Sequence, residues 1–192
     1  MVAVQKPLYT PEQYLERERA SEFRSEYISG EVFAMAGASF EHGIVISNLT
    51  RLLNTLLDDE PCIVIPNDLR VQANVTGPYF YPDVVVACEE PRFGDDRNDT
   101  LLNPTIIIEV LSPSTEAYDR GEKFIHYRRI ASLREYVLVA QNTARIERFV
   151  RQGDFWLLAE SAGLKASVTL ETIGCTLELS DVYRKVTFPP PP

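Results

Sequence analysis

Apolar and polar positions along the chain change period several times, and each change marks an element. Ile46, Leu49, Leu53 and Leu56 recur at helical spacing behind Ser39, a good capping residue, so a long helix is predicted from about residue 39 to the breaker Glu60-Pro61. A shorter amphipathic helix is predicted at TPEQYLERER, with Thr10 as N-cap, Pro11 at the first helical position and Gln13 placed to complete a capping box. From Pro61 to residue 111 the texture is β: CIVI, LRVQANV, YFYPDVVVAC and TIIIEVL, separated by Pro, Gly, Asn and Asp. The last two runs are apolar on both faces and belong in the middle of a covered sheet. SPSTEAYDRGEKFIHYRRI returns to helical spacing, with Phe124, Tyr127 and Ala131 on one stripe, and REYVLVA follows as a strand. A strand, helix, strand succession of that length implies a right-handed crossover with the two strands parallel. Hairpins are predicted near both ends, one turning at Ser29-Gly30 with its second strand from about Glu31 to Met35, the other turning at Gln152-Gly153-Asp154. Together these elements predict an α/β (α+β) chain, a mixed β-sheet flanked by helices with additional N- and C-terminal β-hairpins.

Length adds a bound. With 192 residues, 45% of them hydrophobic, the chain is long enough for one sizeable core, and no linker or internal repeat divides it. The expectation is one domain over residues 1-188 followed by a polyproline tail at 189-192. The 28 acidic against 19 basic residues give a net charge of −9, so a polyanionic partner must be met by a local basic patch or a metal ion. The amino terminus turns polar within a few residues, and no apolar run approaches the roughly 18 residues that span a bilayer. A soluble, cytoplasmic protein with no membrane partner is expected. Cys62, Cys88 and Cys175 are odd in number and widely spaced, which argues against a disulfide scaffold and reads as three small buried hydrophobes.

Exclusion narrows the chemistry. No two of the nine glycines are spaced as GxG, so the dinucleotide fingerprint and the GxxxxGK[ST] phosphate loop are both missing. Two histidines, His42 and His126, build neither HExxH nor a three-histidine cage, and GxSxG is absent. Carboxylate and lysine remain. Glu109 interrupts the apolar run TIIIEVL, where an unpaired carboxylate costs several kcal/mol, so it needs a partner. Strand alternation groups Ile107, Glu109 and Leu111, and likewise Asp83, Val85 and Ala87. If these consecutive strands pair antiparallel, Asp83 and Glu109 become neighbours. Two carboxylates about 4 Å apart repel by roughly 4 kcal/mol at an effective dielectric of 20, which calls for a hard divalent cation, a basic side chain or a shared proton. Lys123 follows on the next helix with a stem long enough to reach back.

Each of these residues also has a plain structural reading. Asp83 after Pro82 suits a strand-start turn, Glu109 suits an ion pair, and Lys123 suits a solvated helix face. His42, on the stripe of Ile46 and Leu49, suits a satisfied core histidine, Glu31 an exposed strand acid, and Tyr127 the core. Their joint order along the chain favours a metal site.

The segments YPDVVVA, IIIEVLSPST, YDRGEKFIHYRRI and REYVLV, together with ISGEVFAMAG and FEHGIVISNL, resemble the Uma2 (DUF820) family of restriction-endonuclease-like proteins. The resemblance spans most of the chain. It implies the PD-(D/E)XK nuclease fold and Mg2+-dependent (or Mn2+-dependent) hydrolysis of phosphodiester bonds, with Asp83 as metal-binding aspartate, Glu109 as the acidic residue of the ExK motif and Lys123 as its lysine. Leu111 stands where that lysine usually lies, two residues after the glutamate, so the lysine has moved to the helix. Glu31 and His42 match further positions near the site and are expected to complete the metal shell. The strand after the helix has Val137 and Ala140 where the family usually carries Trp and Asp. The implied activity is that of a DNA endonuclease. The rivals are an inactive nuclease-fold binding or oligomeric module and a hydrolase of RNA or a smaller phosphodiester. DNA binding is expected to be weak or structure-selective, because the cluster Arg120, Lys123, Arg128, Arg129 and Arg134 is interleaved with Glu116, Asp119, Glu122 and Glu135. Cutting both strands of a duplex would favour a homodimer.

Overall fold

The computed structural model describes residues 8–35 and 37–190. Along the chain run α1 (Pro11–Ala20), β1 (Ser25–Ile28), β2 (Glu31–Ala34), α2 (Phe40–Leu56), β3 (Ile63–Pro66), β4 (Arg70–Gln72), β5 (Tyr79–Phe80), β6 (Val84–Ala87), β7 (Thr100–Leu101) and β8 (Ile106–Leu111). Then follow α3 (Glu116–Tyr118), a π-helical turn (Asp119–Lys123), α4 (Phe124–Tyr127), β9 (Glu135–Ala140), β10 (Arg145–Gln152), β11 (Phe155–Ala162), β12 (Ser167–Leu170), β13 (Cys175–Glu178) and α5 (Leu179–Val182).

The central sheet has the strand order β11-β10-β9-β8-β6-β3. Strands β8 and β9 pair parallel, as the helical crossover between them requires, while β6 and β8 pair antiparallel. Every residue of β6, β8 and β9 is buried, which is why these runs carry no polar alternation. One face of the sheet packs Val84, Val86, Ile106 and Ile108 against α2 and α5 through Val45, Leu49, Leu53, Leu179 and Val182. The opposite face packs Val85, Ala87, Ile107 and Leu111 against Tyr127 and Leu133 and against a second sheet through Val71, Phe80 and Leu101. That second sheet has the order β2-β1-β5-β4-β7.

Local signals place the flanking elements. The α1 capping box forms, with Gln13 N donating to Thr10 Oγ1 at 3.3 Å and Thr10 N to Gln13 Oε1 at 2.9 Å. Ser39 Oγ caps α2 by accepting from His42 N at 3.2 Å. Ser29 and Gly30 both have positive φ, 51° and 93°, as a tight hairpin turn demands. Helix α1 does more than its sequence suggested: buried Glu18 accepts from Ser25 N at 2.9 Å and from the Tyr81 hydroxyl at 3.0 Å. It thereby ties the β1–β2 hairpin to the segment that leads into Asp83.

Three expectations are corrected. The helix after residue 112 is not continuous. Its π turn uses an extra residue per turn, so the 3.6-residue stripe overshoots: Phe124 and Tyr127 pack inward, but Ala131 lies beyond the helix and is exposed. The long helix ends at Leu56, short of Glu60. Cys62 and Cys88 are not independent hydrophobes, because the register Ile63↔Ala87 sets them opposite each other, with Cα atoms 3.9 Å apart, and they form a disulfide; Cys175 is free and buried. Pro189 and Pro190 have no regular secondary structure, while the rest of the expected tail and the residues before Leu8 lie outside the described residues. Among the described residues no helix is long and apolar enough to cross a membrane.

Candidate metal and phosphodiester site

Where β6 begins and β8 nears its end, the antiparallel register Val84↔Ile108 brings Asp83 and Glu109 onto one face of the sheet. Asp83 is fixed from two sides: the N–H of Val110 donates to its Oδ2 at 2.7 Å, and His42 Nε2 donates to its Oδ1 at 3.0 Å. The histidine is delivered by the first turn of α2, so the reading of His42 as a core residue gives way to a side chain that holds an acid at a pocket.

Glu109 is 3% exposed. Its Oε1 receives the Tyr127 hydroxyl at 3.0 Å and lies 3.0 Å from Lys123 Nζ. The lysine therefore does reach back from the helical segment. Within the π turn, Asp119 and Lys123 both face inward, and their groups lie 3.6 Å apart. The third partner of the ammonium is Glu26 Oε1 at 3.0 Å, from the amino-terminal hairpin, with the Tyr118 hydroxyl on the other oxygen of Glu26 at 3.4 Å.

Charge is unevenly matched here. Among the described residues Glu26, Glu109 and Asp119 share the ammonium of Lys123, and Asp83 adds its charge beside Glu109. Burial, reinforced by the charges of Asp119, Asp83 and Glu26, raises the Glu109 carboxyl well above the usual range despite the opposing effect of Lys123. Asp119 is raised for the same leading reason. Burial alone would push the Lys123 ammonium down, but Glu109, Glu26 and Asp119 outweigh it and hold its proton well above the ordinary lysine value.

These groups lie at the floor of a cavity of about 890 Å³. The remaining lining includes Arg24, Phe33, Met35, Asp68, Ser112, Ser114, Thr115, Tyr118, Glu122 and Gln141. Asp83, Glu109, Lys123 and His42 are thus brought together. Glu31 is not: it stands opposite Ile28 at the turn end of the hairpin and does not line the cavity. The basic cluster is divided as well. Lys123 is buried, Arg120 is paired with Glu116 and Glu147, and Arg128, Arg129 and Arg134 are exposed but away from the cavity lining. Glu26 escaped the sequence reading because a lone acid in a short hairpin strand looks solvated. Asp119 was visible only as an acid interleaved with arginines, although its spacing of four from Lys123 is the one local hint.

The mixed sheet with its crossover and flanking helices defines a restriction-endonuclease-like fold. The crystal structure of a "putative nuclease belonging to DUF820" from Anabaena variabilis ATCC 29413 shares it, with a TM-score of 0.73 over 91% of this chain and 97% of that one at 17% identity. The chain belongs to the Uma2 family, described as "Putative restriction endonuclease", whose model matches residues 11–180. Two relatives come from Synechocystis sp. (strain ATCC 27184 / PCC 6803 / Kazusa). "Uncharacterized protein sll1609" is 39% identical over 88% of this chain and 96% of its own length. "Uncharacterized protein slr1290" is 36% identical over 95% of each.

Proposed function

We propose that this protein is a metal-dependent nuclease that hydrolyses DNA phosphodiester bonds, with Mg2+ or Mn2+ held by Asp83 and Glu109. One observation carries the reading: two carboxylates from adjacent antiparallel strands meet at a cavity floor, with a lysine ammonium 3.0 Å from one of them.

The residues fit a hard divalent ion. The floor offers carboxylate oxygens, and a cation bound between Asp83 and Glu109 would offset the mutual repulsion of the acids that helps to raise the Glu109 carboxyl. Each Asp83 oxygen uses one lone pair on His42 or Val110, and a carboxylate has about four acceptor sites. Among the described residues no three His, Cys, Asp or Glu side chains form a ready-made cage. Magnesium is commonly held by one or two carboxylates and completed by water and substrate phosphate. Bound there, the ion supplies Lewis-acid polarisation of the phosphate and offsets its charge.

The chain supplies the rest. His42 and the Val110 N–H fix the direction of Asp83. Tyr127 and Lys123 fix Glu109. Because its carboxylate neighbours keep Lys123 protonated, its part is to orient the attacking water and steady negative charge on the phosphate, not to accept a proton.

Plasmid cleavage in Mg2+ or Mn2+ tests this, with Asp83→Ala and Glu109→Ala beside the wild type and EDTA as control. Cleavage that survives both substitutions removes the mechanism. A second reading, a nuclease-fold binding module, draws on the fact that Lys123 already satisfies Glu109 and Glu26. Calorimetry separates the two, since such a module shows no divalent-ion binding that depends on Asp83.

A further inference from the structure

The wall of the cavity differs in chemistry from its floor. The β1–β2 hairpin and the segment after it contribute Ile28, Phe33, Ala34, Met35 and Ala38, and both Phe33 and Met35 are 42% exposed. Two residues apart on the cavity wall, an aromatic ring and a thioether offer a face against which a flat apolar group can lie. The hairpin register gives their distance from the chemistry: Phe33 is the direct cross-strand partner of Glu26, and Glu26 holds Lys123. Directly paired side chains stand about 5 Å apart on one face, so the ring is fixed one short step from the charged floor.

Charge limits what can approach. Glu26, Asp68, Asp83, Glu109, Asp119 and Glu122 line the cavity against Arg24 and Lys123. Arg24 itself sits 3.5 Å from Asp68, and Lys123 is buried among carboxylates. A duplex presents a closely spaced array of phosphates with its bases stacked inside, and a basic track is what normally receives it. Arg120, Arg128, Arg129 and Arg134 all lie outside the lining. A single strand carries phosphates too, but it can bend so that one of them enters the cavity while a free π-face stacks on an aromatic side chain, which a base paired inside a duplex cannot offer. The cavity volume of about 890 Å³ lies within the range of small-ligand sites.

Resting on the nuclease reading, we propose that the substrate enters as an unpaired strand, one base lying against Phe33 and Met35 while the adjoining phosphate faces Asp83 and Glu109. The hairpin is then a base platform, and single-stranded or locally opened nucleic acid is preferred over intact duplex.

Fluorescence anisotropy of the full chain tests the proposal, with a fluorescein-labelled oligothymidylate and a blunt duplex of equal length as probes, in Ca2+. The single strand is expected to bind about tenfold tighter than the duplex, and Phe33→Ala to weaken it by about tenfold, with Phe33→Trp restoring it. Unfolding curves of the variants report whether the fold is intact. Equal or tighter duplex binding, wild-type affinity in Phe33→Ala, or no binding of either probe overturns the platform. The nuclease reading is scored separately, by Mg2+-dependent cleavage of the same oligonucleotides and its loss in Asp83→Ala. Phe33-dependent binding without cleavage sinks that reading and keeps the platform; cleavage with indifferent binding does the reverse.

Discussion

Lys123 Nζ lies 3.0 Å from Glu26 Oε1, joining the helical segment after β8 to a hairpin near the start of the chain. The contact lies in the cavity lining and places an amino-terminal carboxylate in the same cluster as Glu109. Stability and chemistry are therefore coupled at this point, since the cation that would steady a phosphate also neutralises buried acids.

Replacing that cation should be costly. In Lys123→Met the carboxylates of Glu26, Glu109 and Asp119 lose their shared partner, and the loss of one side of a buried pair is expected to destabilise by about 3–5 kcal/mol. The sign with pH follows from the directions of the shifts. The lysine, raised in the fold, contributes stability below its unfolded value of about 10.4, and the variant's acids are protonated most readily in acid. Urea unfolding should show a larger deficit at pH 8 than at pH 5; a deficit independent of pH would contradict the cluster.

His42→Ala removes the donor that aims Asp83. If Asp83 holds the proposed ion, losing the residue that orients it costs about 10–100-fold in metal affinity or activity. Calorimetric titration with Mn2+ should show the loss, and His42→Asn, which keeps a donor, should recover part of it. An unchanged titration would leave His42 without a positioning role.

Asp99 binds Arg19 through paired hydrogen bonds of 2.8 Å and sits 2.6 Å from buried Arg70. Its hydrogen bonds to Arg19, partly opposed by burial and assisted by Arg70, hold its carboxyl well below the usual carboxylate range. A depressed acid stabilises above its unfolded value of about 3.9 and loses that contribution as pH falls through the folded value. Asp99→Asn, which leaves Arg70 short of its anion, is expected to cost about 1–3 kcal/mol at pH 7 and progressively less below pH 4. Chemical denaturation across that range checks it.

The Cys62–Cys88 disulfide closes a loop with a sequence separation of 26 and clamps β3, the edge of the central sheet, to β6. Chain-entropy arguments put such a link at about 3.5 kcal/mol. Reductant should lower the wild-type denaturation midpoint and leave that of Cys62→Ser/Cys88→Ser unchanged. Equal response of both proteins would show that the bridge adds nothing.

Much of this architecture was legible in the chain itself, because local rules act over a few residues. Thr10 and Gln13 mark a cap, Ser29-Gly30 a turn, and TIIIEVL a strand buried on both faces, each decided by sterics, capping or period. Glu109 stood out for a similarly local reason, as a charge among isoleucines, and the β6–β8 register then made Asp83 its neighbour.

What the linear pattern left open depends on contacts between distant segments. Nothing around Glu26 predicts Lys123; their meeting requires the second sheet to pack over the first. The π turn, the pairing of Cys62 with Cys88 and the exclusion of Glu31 from the cavity likewise follow from register and packing. Periodicity states which face a side chain takes, but burial and charge balance depend on what another part of the chain brings to that face. The acidic floor and apolar wall of the cavity are therefore tertiary facts.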